Sequence, residues 1–230
     1  MRWKDNDCGA EMAKQSPELA ATPDLETKST PSRRKGKTTF EAILATTGEL
    51  LAEVGFERLN TNLVCERAGI TPPALYRYFP NKYALLAELA RRLMDAQDEV
   101  FFAWLDRGDA AARTLDEAVG KGIELRTELV RVTRNQPGGM SILRAIRSVP
   151  ALRQVRIESR DRVIARQTEV LRELFPRVDE RQLQSAVRLS EEVGYGVIEM
   201  ILEDPSLDEE RVIAESAWMN ALYYQHLSPR

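Results

Sequence analysis

The chain has 230 residues and a mass of 26.1 kDa, room for one large domain or two small ones. Hydrophobic residues make up 43% and charged residues 30%, a composition that excludes membrane-embedded and wholly disordered proteins. Its 33 Lys and Arg stand against 36 Asp and Glu; the net charge of −3 taken alone argues against a nucleic-acid partner.

Two cysteines, Cys8 and Cys65, are too few for a disulfide framework, and no Cys/His cluster surrounds the single His226, so no metal or other cofactor is expected. No apolar run approaches the roughly 20 residues that cross a bilayer. The N-terminal segment also lacks the apolar core of a secretory signal, so a cytoplasmic protein is expected.

Residues 1–36 read as a disordered tail, because Pro, Ser, Thr and charged residues offer too little apolar surface to offset ordering entropy. The tail ends in Arg33-Arg34-Lys35-Gly36-Lys37, either a solvated basic run or an arm that reaches DNA. Thr38 and Glu41 have the spacing of a capping box, after which Ile43, Thr47, Leu50, Leu51 and Val54 share one helical face. Gly55 with Phe56 predicts a left-handed helix end. Thr61 is expected to cap a short second helix that stops at Gly69. Thr71 and Pro72 form a cap and first-position pair for a third helix reaching Phe79, and Pro80-Asn81 precede a long fourth helix from Lys82 to Leu105. Helices are then expected over 109–134, 137–147, 151–175, 179–203 and 207–227, each bounded by Gly, Pro, Asp or similar signals. The fold class is therefore all-α, with about nine helices.

Three short helices with a Gly-containing turn between the second and third make a helix-turn-helix arrangement, in which the third helix projects into a major groove. At 100° per residue, Leu75 and Phe79 anchor that helix while Pro73 and Arg77 point outward, flanked by Ala74 and Tyr76. Tyr78 is expected at the core edge, its hydroxyl within reach of a phosphate. From Thr71 to Lys82 there are two basic residues and no acidic one. The net charge divides as +1 over residues 1–82 and −4 over 83–230, so the acidic average belongs to the C-terminal part.

The stretch from Thr39 to Leu86 resembles the TetR family of bacterial transcriptional regulators, above all in Ala68-Gly69-Ile70-Thr71, Leu75-Tyr76-Arg77-Tyr78-Phe79 and Asn81-Lys82. The resemblance implies a helix-turn-helix DNA-binding domain at 37–82 and a helical ligand-binding and dimerisation domain at 83–230. It further implies a repressor, not an enzyme, that binds a palindromic operator as a homodimer and answers to a small-molecule effector through the long fourth helix. Thr61, Tyr76, Tyr78 and Lys82 match the family's phosphate-holding positions. Thr71, Pro72, Pro73, Ala74 and Arg77 match those that face bases or adjoining backbone; Arg77 alone can grip a guanine with two hydrogen bonds. Cys65 and Tyr83 depart from the usual pattern, and Cys65 is expected to be a packed core thiol. The competing readings are a helical ligand-binding protein or enzyme with a vestigial motif, and a non-specific architectural DNA-binding protein. No nucleophile–base pair favours the first.

In the C-terminal part, Leu143 to Arg172 holds eight arginines against Glu158, Asp161 and Glu169. A solvated Arg face behind the apolar stripe Leu152, Val155, Ser159, Val163, Val170 and Leu174 is expected, rather than a basic surface for an anionic ligand such as an acyl-coenzyme A. Gly194 and Gly196 flank Tyr195 inside a helix, where glycine costs roughly 1 kcal/mol, and predict close approach of another helix or space for a ligand. The last two long helices are expected to form the dimer contact, with Val212, Ser216, Met219 and Tyr223 as a seam. Phe101, Phe102, Trp104, Met140 and Tyr195 are the expected lining of a ligand cavity.

Overall fold

The computed structural model describes residues 23–227. Cys8 and residues 1–22 of the expected tail lie outside the described residues. Within them are nine α-helices, one short 3-10 turn and no strand. The helices are α1 (Arg34–Arg58), α2 (Thr61–Ala68), α3 (Pro72–Tyr76), α4 (Lys82–Asp106), α5 (Leu115–Asn135), α6 (Gly139–Ser148), α7 (Arg153–Leu174), α8 (Glu180–Glu203) and α9 (Glu209–Leu227), with the 3-10 turn at Pro150–Leu152.

Side-chain caps set most of the starts. Asn60, not Thr61, caps α2 by accepting from the N–H groups of Asn62 and Leu63, so Thr61 is the helix's first residue. Asn81 caps α4, Thr114 caps α5 and Asp179 caps α8 in the same way. At α5 the Glu117 N–H donates to the Thr114 hydroxyl, and the Glu117 carboxylate accepts from the Arg113 N–H just before the cap. The box expected at Thr38 and Glu41 is absent, because α1 already begins at Arg34 and the Thr38 hydroxyl donates back to the Arg34 carbonyl. Gly55 and Gly69 have φ of 73° and 63°; the first kinks α1 near its end and the second ends α2.

The tail differs from expectation. Arg34 to Lys37 form the first turn of α1, and the segment before it is docked on the recognition end of the molecule. The Lys28 N–H donates to the Tyr78 carbonyl at 2.8 Å, and the Ser29 hydroxyl donates to the Arg77 carbonyl at 3.2 Å. Arg91 reaches back to the Leu25 carbonyl and Glu26 carboxylate, while Leu25 packs on the apolar core. One apolar side chain and four backbone groups hold a segment whose composition alone reads as disordered.

The first three helices close around Phe40, Ile43, Leu75 and Phe79, with the Phe40 and Phe79 rings stacked at 4.9 Å. This cluster continues without a break into α4 and α6. Backbone meets backbone between α1 and the turn before α6. A Cβ on Gly48 would lie 2.3 Å from the Pro137 carbonyl oxygen, and one on Gly138 would lie 2.2 Å from the Gly48 oxygen. Only glycines allow that approach, and Gly138 also holds φ at 71°.

Elsewhere α4 crosses α5 and α7 through buried polar ties. Gln97 donates to the Thr133 hydroxyl at 2.7 Å, and the Asp98 carboxylate accepts from Ser159 and Arg162 at 2.7 Å each. The arginines of 143–172 form the expected solvated face, with Arg144, Arg147, Arg153, Arg162 and Arg172 exposed, but one laced with ion pairs. Arg144, Arg147 and Arg156 pair with Glu203, Glu199 and Glu192 on α8, and Arg162 and Arg166 pair with α4 carboxylates. The inward stripe of α7 runs through Leu152, Val155, Ser159, Gln167 and Leu171; Leu174 at its end is exposed.

Candidate DNA interface and core cavity

α3 is a single exposed turn and a half, held from below by Leu75, which is fully buried. Thr71, Pro72, Pro73, Tyr76 and Arg77 are exposed and Ala74 is half-buried, so six of the expected base-facing or phosphate positions form one outward face. The Tyr76 hydroxyl lies 3.0 Å from the Thr61 hydroxyl, which fixes the ring of α3 against the start of α2. The hydroxyl pair lies on the solvent side of the two helices.

Two residues expected at phosphates sit differently. Tyr78 is 6% exposed, its ring edge-on to Phe40 at 5.5 Å. Helical hydrogen bonds continue to Phe79, and Tyr78, beside the face that Leu75 and Phe79 bury, turns its ring fully onto Phe40. Lys82 is half-buried: its ammonium donates to the Phe56 carbonyl at 3.3 Å and lies 4.3 Å from the centre of the Phe56 ring. Cys65 is buried as a core thiol, and burial pushes its pKa up.

A cavity of about 400 Å³ lies between α4, α5, α7, α8 and α9, with the α4–α5 loop at its rim. Phe101, Trp104 and Tyr195 line it as expected; Phe102 and Met140 do not. Phe102 follows Phe101 directly, so one helical step of about 100° turns it away. Met140 lies on α6, which is not a cavity wall, and packs instead on the apolar core shared by α1 and α4. No atom lies within 4 Å of a Cβ built on Gly194 or Gly196, so helix approach within this chain does not explain either glycine. Gly194 opens onto the cavity.

Sequence reasoning missed the polar wall: Arg126, Ser190, Glu191 and Tyr224. The signal was present. Arg126 interrupts the inward stripe Val119, Val130 and Thr133 of α5, and Glu191 interrupts Val187, Tyr195 and Ile198 of α8. Burial pushes the Glu191 carboxyl and the Tyr195 hydroxyl up, the latter strongly, and Tyr224 up to about 12. Burial likewise pulls the Arg126 guanidinium down.

The outward faces of α8 and α9 carry an apolar patch. Leu189, Val193 and Met200 recur along α8, beside Trp218, Met219 and Leu222 on α9, all exposed. The expected α9 seam is shifted: Ser216 is buried and donates to the Ile213 carbonyl, whereas Val212 and Tyr223 are half-buried. No described helix is long and apolar enough to cross a membrane, and the described residues contain no group of three or more potential metal ligands.

An outward-facing short helix after a glycine turn is a helix-turn-helix arrangement, here carried on a helical core with a separate ligand-sized space. Residues 43–89 match the family model described as bacterial regulatory proteins, tetR family. The tetracycline repressor protein class C of Escherichia coli is 48% identical over 54 residues, 24% of this chain and 25% of that protein. The class A repressor from transposon 1721 is 48% identical over 46 residues, 20% of this chain and 21% of that repressor. The chain thus spans about a quarter of the length of the curated relatives it matches. Over longer spans only the fold is shared. A transcriptional regulator of Pseudomonas aeruginosa PAO1 superposes with a TM-score of 0.65 at 16% identity, covering 85% of this chain and 95% of the other. The SmeT–triclosan complex gives 0.59 at 19%, covering 80% and 90%. Residues 43–89 thus match the tetR-family domain, on a chain whose fold is shared with solved structures of regulators.

Proposed function

We propose that this protein is a repressor that binds a palindromic operator as a homodimer and is released by a small molecule held in the core cavity. The outward face of α3, locked to α2 by the Thr61–Tyr76 hydroxyl pair, carries this reading. Thr61, Tyr76 and Lys82 hold phosphates, and Thr71, Pro72, Pro73, Ala74 and Arg77 face the groove; Tyr78 acts from beneath, as a buttress of the turn. Arg34, Lys35 and Lys37 crowd the start of α1, where positive charge is unfavourable for the helix alone and becomes favourable beside a phosphate. In this reading 37–82 is the DNA-binding unit and 83–230 the effector and dimer unit. The apolar patch of α8 and α9 is the dimer face, and its two-fold symmetry sets half-sites about one DNA turn or slightly more apart. A protein of the same fold is solved as the SmeT–triclosan complex, which supports the core as a site for a small molecule.

The effector works by binding one geometry of the core more tightly than the other. The backbone contact of Gly48 with Pro137 and Gly138, together with α4, links that geometry to the DNA-binding helices.

The test selects bound genomic fragments and then titrates the selected operator with salt. Arg77→Ala is expected to cost about 1–3 kcal/mol and relax the preference at one base pair, whereas Lys82→Ala lowers the salt slope by about 1. Met219→Asp, which charges the apolar patch, is expected to yield monomers in sedimentation and weaken operator binding. Absence of any preferred palindrome, or variants with unchanged affinity, would overturn the proposal.

A further inference from the structure

The cavity wall carries a buried cation that no carboxylate of the described chain pairs with. Arg126 projects from α5 and is 5% exposed. Its one hydrogen bond goes to the Gly122 carbonyl at 3.2 Å, and its Nε is buried without a partner. A Cβ on Gly122 would come within 3.3 Å of the guanidinium and of Ala217 on α9, so this glycine leaves the space in which Arg126 folds back.

Of the other charges on the cavity wall, Arg113 is exposed and Glu191 has no ion pair among the described residues, and the rest are matched. Asp98 has Arg162, Asp109 has Arg107, Arg156 has Glu192 and Arg160 has Asp161. Glu191 feels the charges of Arg156, Arg160 and Arg188 but forms no ion pair with Arg126. A buried cation without a counter-charge is costly, and a protein that keeps one has a use for it. The remaining wall is mainly apolar, with Phe101, Trp104, Leu125, Leu129 and Val163. Ser190 and Tyr195 add hydroxyl oxygens that are buried and unpartnered.

We infer that the effector is a carboxylate with an apolar body, seated with its carboxylate on the Arg126 guanidinium and its body along the aromatic and aliphatic wall. The inference rests on the cavity being the effector site. It accounts for three features together: the unmatched cation, the glycine that makes room for it, and a space too apolar for a small inorganic anion. The guanidinium supplies donors in a fork that matches a carboxylate and lies in a water-poor wall, where such a pair is strong.

The test uses the full-length protein and two probes of equal chain length, decanoate and decan-1-ol, with affinity read by titration calorimetry. Decanoate is expected to bind at least about tenfold more tightly than the alcohol. Arg126→Met is expected to abolish that preference while leaving alcohol binding within about threefold. Arg126→Lys, which keeps the charge but not the fork, retains part of it. The ligand-free Arg126→Met protein is expected to melt at the same or a higher temperature, because it no longer buries an unmatched cation. Equal affinity for the two probes, or a preference that survives in Arg126→Met, overturns the inference and leaves the cavity as an effector site. A lower melting temperature or misfolding of Arg126→Met overturns it too, by making Arg126 a structural cation. If neither probe binds, the effector-site reading falls and this inference falls with it.

Discussion

The helices that present α3 and those that enclose the cavity solve opposite problems. In the first region Ile43, Leu75 and Phe79 are fully buried, and the buried Thr47 hydroxyl is satisfied by the Ile43 carbonyl at 2.7 Å. The second region holds every buried side-chain polar atom found without a partner among the described residues: on Arg126, Arg156, Thr168, Ser190, Glu191 and Tyr195. A surface that reads DNA gains from being held rigid by a closed core. A surface that must respond to a guest gains from interactions left incomplete until the guest arrives.

Truncating one aromatic residue in each region would break this comparison most directly. Phe79→Ala is expected to cost about 3–5 kcal/mol in urea denaturation, because it opens a void in a filled core. Phe101→Ala, beside space that is already empty, is expected to cost about 1 kcal/mol or less. Equal costs would mean that the cavity walls are packed as tightly as the DNA-binding helices.

The link between the regions comes next. Gly48→Ala would place a methyl 2.3 Å from the Pro137 oxygen, and backbone cannot move aside as a flexible side chain can. Overpacking of this kind costs about 1–3 kcal/mol in thermal unfolding. If the contact couples core to head, the variant also changes operator affinity, although no residue that faces DNA is altered. Unchanged stability would show that α1 and α6 slide freely.

The smallest expected effect sharpens the account of unfinished polarity. Burial holds the Glu191 carboxyl above its ordinary value of 4.5, so the unfolded chain gives up this proton first. Its contribution to stability is therefore greatest at low pH and falls as pH rises through 4.5 toward the folded value. Glu191→Gln is expected to stabilise the protein by about 1 kcal/mol near neutral pH, with the gain vanishing in acid. A gain independent of pH would place its cause outside this ionisation.

Much of the DNA-binding region was legible because its signals are local. Gly69 ends α2, Thr71 and Pro72 start α3, Pro80-Asn81 separate it from α4, and Leu75 and Phe79 anchor α3 from the same face. Misreadings occurred where a distant partner decides. Tyr78 stands three residues after Leu75, at the edge of the buried face, and its contact with the Phe40 ring on α1 decides that it goes in. Leu25 docks on residues far along the chain, and no composition rule anticipates that. In the core, every helix was expected, yet Phe102 and Met140 were assigned to a wall they do not reach.

From the sequence alone came the all-helical class, the helix order, the recognition turn and the resemblance in its motif, because caps, glycines and apolar period act over a few residues. The tertiary structure decided which half of each amphipathic face meets a neighbour and which meets empty space. The opening charge balance shows the difference. A net charge of −3 averages over ion pairs among α4, α7 and α8 that largely cancel. What remains are the basic start of α1, Arg77 at the surface and Arg126 at the cavity, charges whose meaning depends on where folding leaves them.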